Sequence, residues 1–183
     1  MDNGAGSYRR FLEGDESAFD DIMKELFFGL VFFVNRYVRD VYAAEDIAMD
    51  VFAELIANPR RYNFKVSLKT YLFMLGKSRA LDYIKRRRII DFVELSAAGE
   101  LKSDEKELLD LVVADERKRK LSQAISQLPQ DMRTVLHLIY FEDMSYEDAA
   151  RVLRKSRKQV DNLLYRAKGQ LRIILSEDGE QLL

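Results

Sequence analysis

Apolar residues recur at intervals of three and four along most of this 183-residue chain, and apolar/polar alternation of the strand kind is hard to find. Such spacing gathers hydrophobic side chains on one face of a helix, so the chain must bury helix against helix. Proline, which would interrupt the pattern, occurs only at Pro59 and Pro129. One segment departs from the rest. Residues 91–115, "DFVELSAAGELKSDEKELLDLVVAD", carry two basic against eight acidic residues, a net charge of -6, between flanks of +2 (residues 1–90) and +3 (residues 116–183). The expected fold is therefore all-α, with two small helical domains, 5–90 and 116–176, joined by an acidic linker over 91–115.

Composition narrows the function classes. Without cysteine there is neither a disulfide framework nor a thiolate metal site, which suits a reducing cytoplasm. The polar start of the chain has no apolar run of signal-peptide length, and "LFFGLVFFV" at 26–34 is far shorter than the roughly 20 residues of a membrane span, so no membrane insertion is expected. It reads as a buried helix. An enzyme is poorly supported, because the single histidine, His137, sits alone in "RTVLHLIYF" and no glycine-rich phosphate loop, metal-ligand cluster or nucleophile motif is present. No catalytic residue, metal or cofactor is assigned.

In the first domain, Phe19, Ile22, Met23, Leu26, Leu30, Phe33, Val34 and Tyr37 fall at helical spacing behind Ser17, a candidate N-cap. A second helix, "AAEDIAMDVFAELIAN", buries Ile47, Val51, Phe52 and Leu55 and shows Glu45, Asp46, Asp50 and Glu54 on another face. It stops at Asn58-Pro59, since the residue before proline resists helical geometry. After the loop "PRRYNFKVS" comes a third helix, "LKTYLFMLGKSRALDYIKRRRI", with Leu68, Leu72, Leu75 and Ile84 inward and positive charge growing toward its C-terminal end. The domain thus offers an acidic surface for a basic protein partner. It also offers a basic, aromatic one where rings stack on bases and Lys/Arg neutralise phosphate.

In the second domain the question is whether "MSYEDAARVLRKSRKQVDNLLYRAKGQL" at 144–171 is one helix or two. Ser145 with Asp148 makes a capping-box-like start, and Arg154-Lys155 turns the chain before Ser156 caps a restart. Two helices are expected. Ala149, Ala150 and Leu153 face inward on the first, and Val160, Leu163, Leu164 and Leu171 on the second. Small Ala150 and apolar Val160, ten residues apart, fit the close crossing of a helix-turn-helix. Outward lie Arg157, Lys158, Gln159, Asn162, Tyr165, Arg166 and Lys168, side chains suited to phosphates and base edges. Arg154 stands where the turn favours glycine, at a cost of about 1 kcal/mol. A stand-alone helix-turn-helix transcriptional regulator would use these residues too, but it leaves the acidic helix without a task.

The ordered set "AF" at 18–19, "AEDIAMDVF" at 44–52, "LKTYLFMLGKSRALDYIKRRR" at 68–88, "ISQLPQDMRTVLHLIYFEDMSYEDAARVL" and "VDNLLYRAKGQLR" resembles the extracytoplasmic-function (ECF) sigma factors of the bacterial sigma-70 family. The resemblance implies a sigma factor that binds RNA polymerase core through its β′ and β subunits and directs promoter-specific initiation, with an anti-sigma factor as a separate regulator. It implies that Asp46, Asp50 and Glu54 dock on a β′ coiled coil. Tyr62, Asn63 and Lys65 would line a pocket for an unstacked minus-10 base, with Lys69, Tyr71, Lys77, Arg79, Arg86 and Arg87 following the strand. Arg157, Lys158, Asn162, Tyr165 and Arg166 would meet the minus-35 element. The chain departs from the family pattern at Tyr71, where tryptophan is common, at Arg154 for the turn glycine, at Asp161 where a basic residue is frequent, and at Leu163 for a common arginine.

Overall fold

The structure, a computed structural model, describes residues 4–95 and 116–180, and these fall in two compact units, 1–104 and 105–183. The acidic linker expected over 91–115 lies largely outside the described residues. Every regular element among the described residues is helical. The helices are α1 (Ala5–Leu12), α2 (Ser17–Val38), α3 (Val41–Ala57), α4 (Leu68–Leu95), α5 (Glu116–Ser126), α6 (Gln130–Leu136), α7 (Tyr146–Leu153) and α8 (Arg157–Glu180). α4 and α8 run past the expected ends at 90 and 176.

In the first unit α2 is the central helix, packed against α1, α3 and α4. Ile22, Leu26, Leu30, Phe33 and Val34 of α2, Val51, Phe52 and Leu55 of α3, and Leu68, Leu72 and Phe73 of α4 are buried together, each such side chain contributing roughly 1.5–3 kcal/mol. The helices approach closely at Gly76, where a Cβ would stand 2.7 Å from Leu30 Cδ1. Ser17 does not cap α2. Its hydroxyl donates instead to Asp15 Oδ1 at 2.6 Å, because Asp15 is already fixed at the turn by Arg10, and Glu16 takes the N-cap position. Real side-chain caps start α3, where Asp40 accepts from the amides of Tyr42 and Ala43, and α4, where Ser67 Oγ accepts from Thr70 N at 3.1 Å.

α1 is not marked by the sequence pattern, and its Tyr8 explains how α3 ends. The Leu55 carbonyl would accept from the amide four residues on, but Pro59 has none. Fully buried Tyr8 fills the vacancy, its hydroxyl donating to Leu55 O at 3.0 Å.

In the second unit Ala124, Leu128, Met132, Val135, Leu136, Leu138, Leu153, Val160, Leu164 and Ala167 form the core. α6 passes into a π turn over His137–Phe141, with Glu142 N donating to His137 O at 3.1 Å. His137 is buried there, its Nε2 3.2 Å from Glu142 Oε1.

Candidate nucleic-acid interface

α7 and α8 are two helices, as the capping signals predict. Ser145 Oγ accepts from Asp148 N at 3.1 Å to start α7. Ser156 and Gln159 satisfy each other at the start of α8, Gln159 N donating to Ser156 Oγ at 3.2 Å and Ser156 N to Gln159 Oε1 at 2.7 Å. Gln159 therefore serves the cap while remaining exposed. Between the helices Arg154 takes φ 56°, ψ 45°, and Lys155 N donates back to Ala150 O at 3.0 Å, closing the end of α7. Ala149, Ala150, Leu153, Val160 and Leu164 are buried, whereas Leu163 and Leu171, expected inward, are only half-buried.

The outward residues of α8 stand clear of this core. Arg157, Lys158, Asn162, Tyr165 and Arg166 are all exposed, Tyr165 at 81%. Arg157 Nε lies 3.1 Å from Glu147 Oε1, which ties the first turn of α8 to α7. Asp161 is exposed as well, and Lys168 places its ammonium 5.3 Å from the Tyr140 ring centroid. A helix held at one end by a reciprocal cap and presenting amide, phenol and guanidinium groups can lie in a major groove and donate to base edges and phosphates.

In the first unit the segment between α3 and α4 is built on an aromatic floor. A 3₁₀ turn, Pro59–Arg61, leads to Tyr62, whose ring lies 5.6 Å from Tyr8, 4.6 Å from Phe64 and 5.1 Å from Tyr71, and whose hydroxyl donates to Val66 O at 2.7 Å. Tyr62 is 3% exposed, so its ring packs within the unit rather than lying open at the surface. Phe64 sits at φ 61°, a conformation costly for an aromatic residue, with the Arg9 guanidinium 4.9 Å from its ring centroid. Asn63 and Lys65 are exposed, and Asn63 Oδ1 accepts from Lys65 N at 3.1 Å, bending the loop outward. Burial pushes the Tyr8 phenol up to about 12, with Tyr71 and Tyr62 adding to the effect.

The charged helices are less separate than their sequences suggest. Asp46 and Asp50 are exposed on α3, and Arg86 and Arg87 on α4, where Lys69 and Lys77 are half-buried. Arg87 reaches toward Asp40, 3.8 Å away. Glu54, expected on the displayed acidic face, turns inward. Its carboxylate accepts from both Arg61 and Arg79, and its side chain is only 12% exposed. Packing of α3 beside α4 brings Arg79 within reach, a partner 25 positions away that helical periodicity does not reveal. Donation from Arg79, then from Arg61, holds the Glu54 carboxyl below the ordinary glutamate value against the opposing effect of burial. Arg79 is thus paired with acid, with Asp50 Oδ2 3.9 Å away, while its side chain stays partly exposed. Tyr71 stands beside this cluster, its phenol raised by burial and then by the Glu54 charge.

Residues 30–89 match the family model described as sigma-70 region 2, and residues 118–171 the one described as sigma-70, region 4. The chain is similar to the RNA polymerase sigma-H factor of Pseudomonas aeruginosa, 27% identical over 167 residues that cover 87% of this chain and 86% of the relative. It is also similar to the ECF RNA polymerase sigma factor SigW of Bacillus subtilis, 25% identical over 87% of this chain and 90% of that one. Among solved structures, the sigma factor RpoE in complex with the anti-sigma factor NepR from Bartonella quintana aligns with a TM-score of 0.65 and 22% identity, covering 86% of this chain and 96% of that one. CnrH, in complex with the cytosolic domain of CnrY, aligns with a TM-score of 0.62 and 18% identity over 96% of each chain. These two likenesses concern the fold.

Proposed function

The chain belongs to the sigma-70 family, as a promoter-recognition subunit of RNA polymerase of the extracytoplasmic-function kind, and from that premise we propose how its residues divide the task. Sigma factors are not enzymes, so the task is binding and positioning. Exposed Asp46 and Asp50 on α3 dock on a basic surface of the core, in the β′ subunit. Asn63 and Lys65 hold an unstacked minus-10 base over the floor made by Tyr62, Phe64 and Tyr71, and the contacts offset the few kcal/mol that flipping costs. Lys69, Lys77, Arg86 and Arg87 follow the strand by neutralising phosphate.

α8 reads the minus-35 element through Asn162, Tyr165 and Arg166, with Arg157 and Lys158 at its N-terminal turn as phosphate anchors. The observation that carries this reading is the helix-turn-helix itself: a reciprocally capped α8 packed on α7, with Ala150 and Val160 buried and Asn162, Tyr165 and Arg166 exposed. No helix among the described residues is long and apolar enough to cross a membrane, and a promoter-bound task supports a cytoplasmic location. Two structural neighbours were solved with anti-sigma or cytosolic regulatory partners, which supports control of this chain by a separate anti-sigma protein. Mapping transcription starts from a reconstituted core with and without the protein tests the function. New starts with common minus-10 and minus-35 sequences are expected, and an unchanged start profile refutes it.

A further inference from the structure

Glu54 is bound on both carboxylate oxygens, Oε1 by Arg61 at the end of the 3₁₀ turn and Oε2 by Arg79 on α4. One turn earlier on the same helix, the Asp50 side chain is 70% exposed. The two acids are therefore not equivalent. A carboxylate already holding two guanidinium groups must break charge-assisted bonds before it can meet a protein partner, whereas Asp50 need give up only a long contact to Arg79. Glu54 also faces a cleft of about 430 Å³ whose walls include Asp50, Asn58, Arg61 and Arg79, so the cluster joins α3, the 3₁₀ turn and α4 at one point.

Immediately beyond that point the chain forms the loop with Tyr62, Asn63, Phe64 and Lys65. Its backbone is strained at Phe64, and a strained conformation persists only where its surroundings hold it. It is held from two sides. α1 presses from one side through Tyr8 and Arg9, and Glu54 fixes Arg61 immediately before Tyr62. Tyr71, tilted against Tyr62, lies close enough to Glu54 to feel its charge.

We propose that Glu54 is a positioning residue for minus-10 recognition: by clamping Arg61 and Arg79 it sets the 59–66 loop in its DNA-receiving form before DNA arrives, and it takes no direct part in core docking. The proposal rests on the reading of that loop as the minus-10 pocket. Preordering of this kind removes an ordering cost from the binding step, so its loss shows in promoter opening rather than in core affinity.

The test compares the full-length wild-type chain with Glu54→Gln, Arg61→Gln, their double variant, Asp50→Lys and Asn63→Ala. The readouts are amide exchange of residues 60–66, affinity for polymerase core, and thymine reactivity of the opened promoter across minus-10 base substitutions. Glu54→Gln and Arg61→Gln should each speed exchange in the loop by about tenfold, and the double variant should be no faster than Glu54→Gln, because the two residues act through one contact. Core affinity should stay within about twofold while promoter opening at saturating core falls. The Arg61 side chain is 65% exposed, so Arg61→Gln tests the clamp even if Glu54→Gln lowers overall stability. Unchanged loop exchange in both single variants overturns the proposal. So does a large loss of core affinity with normal opening at saturation, which would make Glu54 a docking contact like Asp50. If Asn63→Ala leaves minus-10 preference untouched, the pocket reading itself fails and the clamp has no DNA task, whereas a normal Asn63 effect beside unchanged exchange refutes the clamp alone.

Discussion

Arg154 occupies the left-handed region at φ 56° and ψ 45°, where a Cβ crowds the backbone. Arg154→Gly should stabilise the second unit by about 1 kcal/mol, visible as slower amide exchange in α7 and α8, and an unchanged or faster exchange would count against the strain. Tyr8 shows the opposite case, a side chain doing what the backbone cannot. Tyr8→Phe strips the hydroxyl donor from Leu55 O above Pro59 and should destabilise the first unit by roughly 1–3 kcal/mol. Because the folded-state phenol is raised to about 12, the stability it contributes is complete below the ordinary tyrosine value near 10 and is lost as pH climbs through the folded value. Phenolate absorbance should therefore rise together with loss of first-unit helicity in that alkaline window. On α8, Asn162→Ala and Arg166→Ala should cost roughly 1–3 kcal/mol at the minus-35 element and relax its sequence preference. Lys158→Ala should instead weaken every promoter alike and lower the salt slope by about one unit. Initiation on a panel of minus-35 variants separates the two outcomes, and equal losses from all three substitutions would show a helix that anchors without reading.

At the scale of the element, α4 is divided between two faces of different character. Its inward face comes so close to α2 at Gly76 that a Cβ there would meet Leu30 and Val34, and its outward face carries exposed Arg86 and Arg87. Gly76→Ala pushes a methyl into Leu30 and Val34, an overpacking of about 1–3 kcal/mol that the better helix propensity of alanine offsets by up to about 1. A lower thermal midpoint of the first unit is expected, and a raised one would mean that Leu30 yields freely. The elements themselves are mostly legible in sequence. Asp148 beside Ser145 and the polar restart at Ser156 mark α7 and α8 because caps are local chemistry, satisfied within three residues. α1 escapes such reading because its short, polar segment is helical mainly through what it packs on, Tyr8 against Tyr62 and Phe64, and those partners lie some fifty positions away.

For the whole molecule, modest charge on each flank of the acidic segment implies weak counterion release, so the isolated full-length chain should bind duplex promoter weakly and act only with polymerase core. Tight, sequence-specific duplex binding without core would refute this. Periodicity, caps and charge runs, all read within a few residues, were enough to establish an all-helical fold among the described residues, the helix-turn-helix, and the outward residues of α8, because a helix decides its own faces. Which acid meets solvent and which meets arginine was beyond that logic. Asp46, Asp50 and Glu54 look alike along α3, yet of the three Glu54 alone is drawn into an ion pair from each side. Likewise Tyr62 reads as an exposed loop aromatic until α1 and α4 close over it. Tertiary packing decided both, since the field and the solvent access at a side chain depend on neighbours that the chain supplies from 7 to 54 residues away.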